Sequence, residues 1–132
     1  MSDFLVSNSM LMLEKAMNFQ WTKQSVILNN VVNADTPDYK AKYVTFEEAF
    51  RSSIRNAKAL GSSQSTAAMR SAISAASPTV RTLDDETFRM DGNGVNVTEQ
   101  LTEAVRNSYQ LNYVFRSISS DMSRLLTAIR GQ

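Results

Sequence analysis

A mainly α chain is predicted, with long N- and C-terminal helices paired as an antiparallel coiled coil and a short β-hairpin or irregular segment between them. Three observations lead there. Apolar residues recur in alternating steps of three and four near both ends, the middle is rich in serine and alanine, and the few glycines and both prolines fall outside the periodic stretches. The 132 residues suit one structural unit in three parts: an N-terminal axial helix (1–36), a middle segment (37–97) and a C-terminal axial helix (98–132).

The first seam is Val6, Met10, Leu13, Met17, Gln20, Gln24, Ile27 and Val31. Two glutamines interrupt its middle, and Phe19 and Trp21 fall off it, so the apolar surface is wider than one stripe. The helix is expected to end near Asn33, because Thr36-Pro37 drives the chain out of α geometry.

Tyr39 to Val44 reads as an extended exit, followed by a short amphipathic stretch with Phe46, Ala49, Phe50, Ile54 and Ala57 at helical spacing. Residues 59–78 hold six serines and six alanines and few large side chains. Such a stretch buries too little to offset its ordering entropy, so a mobile linker is expected, with weak helical tendency over Ala67–Ala76. A small β region is expected at 79–95. There Thr79–Leu83 and Thr87–Met90 would form a hairpin across Asp84-Asp85-Glu86, before a reversal at Asp91-Gly92-Asn93-Gly94.

Thr98 is a plausible N-cap for the last helix, with Glu99 and Glu103 near its positive end. Its seam is Ala104, Ser108, Leu111, Phe115, Ile118, Met122, Leu125 and Ile129, and Arg130-Gly131 supplies the stop. At 1.5 Å per residue each helix spans about 40–50 Å. Phe4, Leu5, Leu11, Met12, Phe19 and Trp21 on one helix, and Val105, Val114 and Leu126 on the other, lie off the seams and call for lateral contacts with other chains.

The composition removes much chemistry. With no Cys and no His there is no thiol nucleophile, imidazole base, disulfide or ordinary zinc site. Glycines at 61, 92, 94 and 131 spell neither a Walker loop nor a dinucleotide fingerprint. Fourteen basic residues stand against 13 acidic ones, spread evenly, so no nucleic-acid footprint is present. No run approaches the roughly 20 apolar residues of a membrane span, and the N-terminus has neither the basic start nor the apolar core of a cleaved secretory signal.

Asp91-Gly92-Asn93 opens like a calcium loop, but Asn96 and Thr102 stand where glycine and glutamate are needed, so a turn is the preferred reading. Asp84-Asp85-Glu86 has no base or nucleophile beside it and reads as a solvated turn. No catalytic, cofactor or metal residue is assigned, and the chain is not expected to be an enzyme.

The informative run is Asn29-Asn30-Val31-Val32-Asn33-Ala34-Asp35-Thr36-Pro37-Asp38-Tyr39-Lys40. Its asparagines can satisfy main-chain groups where the helix breaks, Thr-Pro shapes the turn, and Tyr39 brings an apolar body with a polar tip. An ordinary polar helix stop would look much the same. The run resembles the N-terminal signature of flagellar basal-body rod and hook proteins at Asn29, Asn30, Val31, Asn33, Thr36, Pro37, Tyr39 and Lys40. It departs at Val32, where alanine is usual, and at Asp38, where glycine is usual; aspartate tolerates left-handed geometry better than most residues. Phe88 to Val97 is similar to the turn of the smallest, proximal rod subunit of that family, through Asp91, Gly92 and Asn93, with departures at Gly94 and Asn96.

The resemblance implies a structural subunit of the proximal rod that transmits torque from the membrane ring to the distal rod and hook by helix–helix packing. It implies export by the flagellar type III apparatus without a cleaved signal, and assembly within the periplasm. Implied partners are further copies of the chain, the rod proteins FlgC and FlgF, the ring–rod adaptor FliE and, as a lesser expectation, the ring protein FliF. The alternatives are a sister rod subunit or a general helical coiled-coil adaptor or chaperone. The latter leaves the Asn-Asn…Thr-Pro-x-Tyr-Lys run unexplained.

Overall fold

The structure is a computed structural model that describes residues 7–46, 51–52, 55–56, 59, 62–84, 90 and 92–131. Helix α1 spans Asn8–Val32 and begins where the Ser7 hydroxyl accepts from the Met10 amide at 3.2 Å. Asn33 closes it, its amide donating to the Asn29 carbonyl at 3.2 Å, as the Thr-Pro sequence leads one to expect. Strand β1 (Lys42–Thr45) follows, then α2 (Ser62–Ala75), β2 (Thr79–Thr82) and α3 (Val97–Arg130).

Helices α1 and α3 lie antiparallel. Asn30 meets Gln100 at one end, Lys23 meets Glu103, Gln20 and Gln24 meet Asn107, and Met10 shares a groove with Ile118 at the other. α3 has 34 residues against 25 in α1, about 51 and 37 Å at 1.5 Å each. Gly131 ends α3 in left-handed geometry (φ 70°), its amide donating to the Thr127 carbonyl. At the other end the cap is Asn96 rather than Thr98: the Asn96 side chain accepts from the Glu99 amide at 3.3 Å. Asparagine caps at least as well as threonine, and it starts the helix two residues earlier than expected.

On α1 the expected seam keeps to the inside: Ile27 is buried and Met10, Leu13, Met17, Gln20, Gln24 and Val31 are half-buried. Val6 lies outside the described residues. On α3 the row that faces α1 differs from the apolar row. Asn107 and Val114 are buried and Ala104, Leu111, Ile118 and Leu125 half-buried, whereas Ser108, Phe115, Met122 and Ile129 are exposed. A 3.6-residue helix drifts against a 3.5-residue repeat. Close approach admits compact Val114 and leaves the larger Phe115 ring outside.

A two-stranded antiparallel sheet does lie in the middle segment, but its pairing is not the expected hairpin. β2 pairs with β1, Tyr43 opposite Arg81 and Val44 opposite Val80. Residues 85–89, and with them most of the expected second strand, lie outside the described residues, while Met90 is a fully exposed turn residue. Leu83 shows why the pairing is long-range: its amide continues the ladder to the Ala41 carbonyl at 2.8 Å. In the amphipathic stretch at 46–57, residues 51–52 and 55–56 are helical; Ala49, Phe50, Ile54 and Ala57 lie outside the description.

The expected linker also differs, because Ser62–Ala75 is a helix packed on α1. Two groups hold it there. Ile73 is fully buried, and Lys15 of α1 donates to the Ser74 and Ala76 carbonyls at 2.7 and 3.0 Å, covering the unsatisfied C-terminal carbonyls. Composition arguments sum over a segment and miss one isoleucine and one lysine supplied from elsewhere.

The core is small. Six apolar residues are buried, against 16 large apolar side chains exposed among the described residues. The accessible surface is 9251 Å², where a compact protein of this mass would show about 6,900 Å². Alone, the chain leaves much of its apolar surface in water.

Candidate functional site

The segment that carries the family resemblance folds onto itself where α1 ends. The Asn29 carbonyl accepts from the Asn33 amide and from Asn33 Nδ2, the latter at 2.8 Å, tightening the last turn. The Asn33 carbonyl then accepts from the Thr36 amide at 3.0 Å, and Thr36 Oγ1 donates to Asn33 Oδ1 at 3.2 Å. Pro37 is exposed and leads into Asp38, whose φ of 58° is left-handed. Aspartate can hold that conformation where most residues cannot.

Asn30 is completely buried and makes a two-point pairing with Lys42. Its Nδ2 donates to the Lys42 carbonyl at 2.7 Å, and its Oδ1 accepts from the Lys42 amide at 2.9 Å. The side-chain amide thus acts as a neighbouring strand would. A second Nδ2 bond reaches Gln100 Oε1 on α3 at 2.9 Å. The Tyr39 hydroxyl donates to Asn29 Oδ1 at 2.7 Å and lies 3.3 Å from Asn30 Oδ1. Burial raises the Tyr39 pKa above its ordinary value, which keeps the hydroxyl a donor.

The second motif locks into the first. Asn93 is completely buried; its Nδ2 donates to the Thr36 and Asn33 carbonyls at 2.6 and 3.1 Å, and its Oδ1 accepts from the Val95 amide at 2.8 Å. The Gly94 amide donates to the Tyr39 carbonyl at 2.9 Å, and Lys40 Nζ reaches the Gly92 carbonyl at 3.4 Å. Gly92 has φ 79°, and a Cβ placed there would collide with the Asp38 carboxylate. Ala34, Ala41 and Val95 pack together beneath, with Tyr39 and Leu83 against them. Asn29, Asn30, Asn33, Thr36, Tyr39, Lys40, Gly92 and Asn93 therefore meet in one polar knot. Asp91 lies outside the described residues.

This knot holds the end of α1 in one shape. Most of its groups are amides, hydroxyls and main-chain carbonyls, with the Lys40 ammonium and the Asp38 carboxylate at its edge, and among the described residues no cluster of three His, Cys, Asp or Glu could hold a metal ion. Among the described residues no helix is long and apolar enough to cross a membrane. Lys23 and Glu103 tie the helices together at 2.9 Å just beyond the knot, and the hydrogen bond from Lys23 holds the Glu103 carboxyl below the usual carboxylate range, aided by the charges of Lys23 and Arg106.

Farther along the pair the surface turns apolar. Met17 and Trp21 line two adjoining cavities of about 500 and 560 Å³, with Met10, Glu14, Asn18 and Ile118 around one and Gln24, Ser108, Leu111, Asn112 and Phe115 around the other. Trp21 and Phe115 are each 61% exposed there. Gln100 and Asn107 escape a search for apolar periodicity, although the glutamines interrupting the first seam point to a polar partner opposite them.

Fold and knot define a class: an elongated building block of two antiparallel helices, locked at one end and rich in uncovered apolar surface. No protein-family model matches the chain. It is similar to the flagellar basal body rod protein FlgB of Bacillus subtilis (strain 168), 28% identical over 127 residues that cover 96% of this chain and 97% of that one. It is also 28% identical over 120 residues to FlgB of Aeromonas hydrophila, covering 89% of each chain, and 23% identical over 124 residues to FlgB of Escherichia coli (strain K12). The likeness to FlgB thus extends over most of the chain.

Proposed function

We propose that this FlgB-like chain is a structural subunit of the flagellar basal-body rod and that it carries torque from the membrane ring toward the distal rod and hook. The observation that carries the reading is the near-complete alignment with FlgB, with 96% of one chain against 97% of the other. The physical form agrees with such a role. Torque transmission asks for stiff elements and many lateral contacts, which a helix about 51 Å long and an uncovered apolar surface can supply.

In this reading the helix pair packs within each subunit and its exposed apolar residues meet other axial proteins. The partners are further copies of the chain, FlgC, FlgF and FliE, with FliF as a lesser contact. The subunit reaches the periplasm through the flagellar type III export apparatus. Absence of cysteine suits passage into an oxidising compartment, since no disulfide can mispair.

Deleting the gene and scoring swimming in soft agar tests the proposal. The expected result is loss of swimming, with basal bodies lacking a rod and hook in electron micrographs, restored by a plasmid copy. Intact motility and intact rods in the deletion strain would overturn it.

A further inference from the structure

Halfway along the helix pair, one layer is polar where an apolar one would pack better. Asn107 of α3 is completely buried; its Nδ2 donates to the main-chain carbonyl of Gln20 at 3.0 Å and to Gln24 Oε1 at 2.7 Å. Gln20 Oε1 and Asn107 Oδ1 are buried and have no hydrogen-bond partner among the described residues. Burying two acceptors without donors is unfavourable, so a wish for stability does not account for this layer.

We propose that Asn107, Gln20 and Gln24 form a register key that holds α1 and α3 at one offset and excludes pairings displaced by a heptad. A 3–4 apolar pattern repeats every seven residues, so sliding one helix by about 10 Å restores most apolar contacts. Either slide takes Asn107 off the glutamines. It would then face Leu13 and Met17, or Ile27 and Val31, with no side-chain acceptor in reach. The offset matters for what the subunit offers its neighbours. The groove lined by Met17, Trp21, Leu111 and Phe115 draws on both helices and exists only in this register. The inference stands on the helix pair alone and does not require the rod reading.

The chain has no cysteine, so engineered pairs report register without background. Met17→Cys with Leu111→Cys marks the native offset, since both side chains line one groove. Met10→Cys with Leu111→Cys marks a one-heptad slip. Each pair is oxidised in the purified full chain, with Gln20, Gln24 and Asn107 intact or all replaced by leucine. With the key intact, only the native pair should cross-link. With the three leucines, the slipped pair should also cross-link, while the thermal midpoint stays level or rises. Asn107→Gln, which keeps the amide, should retain the native cross-link alone. Native cross-linking alone in the leucine variant would overturn the proposal, whatever its thermal midpoint, because the knot at the helix end would then set the offset unaided. Slipped cross-linking with the key intact, or neither cross-link in that chain, would also overturn it.

Discussion

The two ends of the helix pair are built on opposite principles. At the knot, Asn30 and Asn93 are completely buried and their amides are bonded to main-chain groups on three segments of the chain. Halfway along, the groove around Trp21 stands open, and at the far end Met122, Leu126 and Ile129 are exposed on α3. Directional bonds dominate the first and uncovered apolar surface the second. A hydrogen bond specifies one geometry, whereas apolar burial accepts any neighbour of suitable shape. The molecule thus fixes its own shape at one end and leaves apolar surface uncovered at the other.

That contrast makes graded demands on substitution. The largest loss is expected from Asn93→Ala, which takes one donor each from the Asn33 and Thr36 carbonyls and the Asn93 acceptor from the Val95 amide; urea denaturation should show a loss of about 3 kcal/mol. Gly92→Ala comes next, at about 2 kcal/mol by the same measurement, because it combines a left-handed residue with a collision against Asp38. Glu103→Gln should cost under about 1 kcal/mol at neutral pH, since the Lys23 pair is partly exposed. The Glu103 carboxyl titrates lower in the folded chain, so its stabilisation is present above the ordinary carboxylate range and is lost as pH falls below that range through the lower value of the folded chain. Variant and parent should therefore converge in acid. Ile129→Ser, at the open end, should change the stability of the lone chain by less than about 0.5 kcal/mol. It should nevertheless weaken self-association in sedimentation velocity, and unchanged association would show that this end is not an assembly surface.

Legibility in the sequence follows the same division. The seam of α1, the stop after Asn33 and the Gly131 cap are local matters of period, turn chemistry and backbone freedom, and they can be read directly. The resemblance at Asn29–Lys40 marked the residues of the knot, and Asp38 was readable as a left-handed residue. What could not be read was the partner of each amide. Asn30 looks like any polar residue in a helix stop until Lys42 and Gln100 are brought to it, from 12 and 70 residues away. Asn107 is hidden by a search that counts only apolar side chains, and Val114 and Phe115 are adjacent residues that apolarity alone cannot rank. Ser62–Ala75 failed for the complementary reason: a segment poor in large side chains becomes ordered because Lys15 and the surface of α1 come to it.

By itself, then, the sequence determined two long helices, where they stop, that catalysis lacks its usual residues, and which short runs resemble rod proteins. These depend on neighbours within a turn or two, or on residue types that are simply missing. Only the tertiary structure decided that β1 pairs with β2, that the Ser/Ala-rich stretch is a docked helix, and that three asparagines occupy buried places, two along the helix pair and one in the turn before α3. Each of these rests on a partner dozens of residues away, and a donor or acceptor carries no mark in the sequence of the group it will meet.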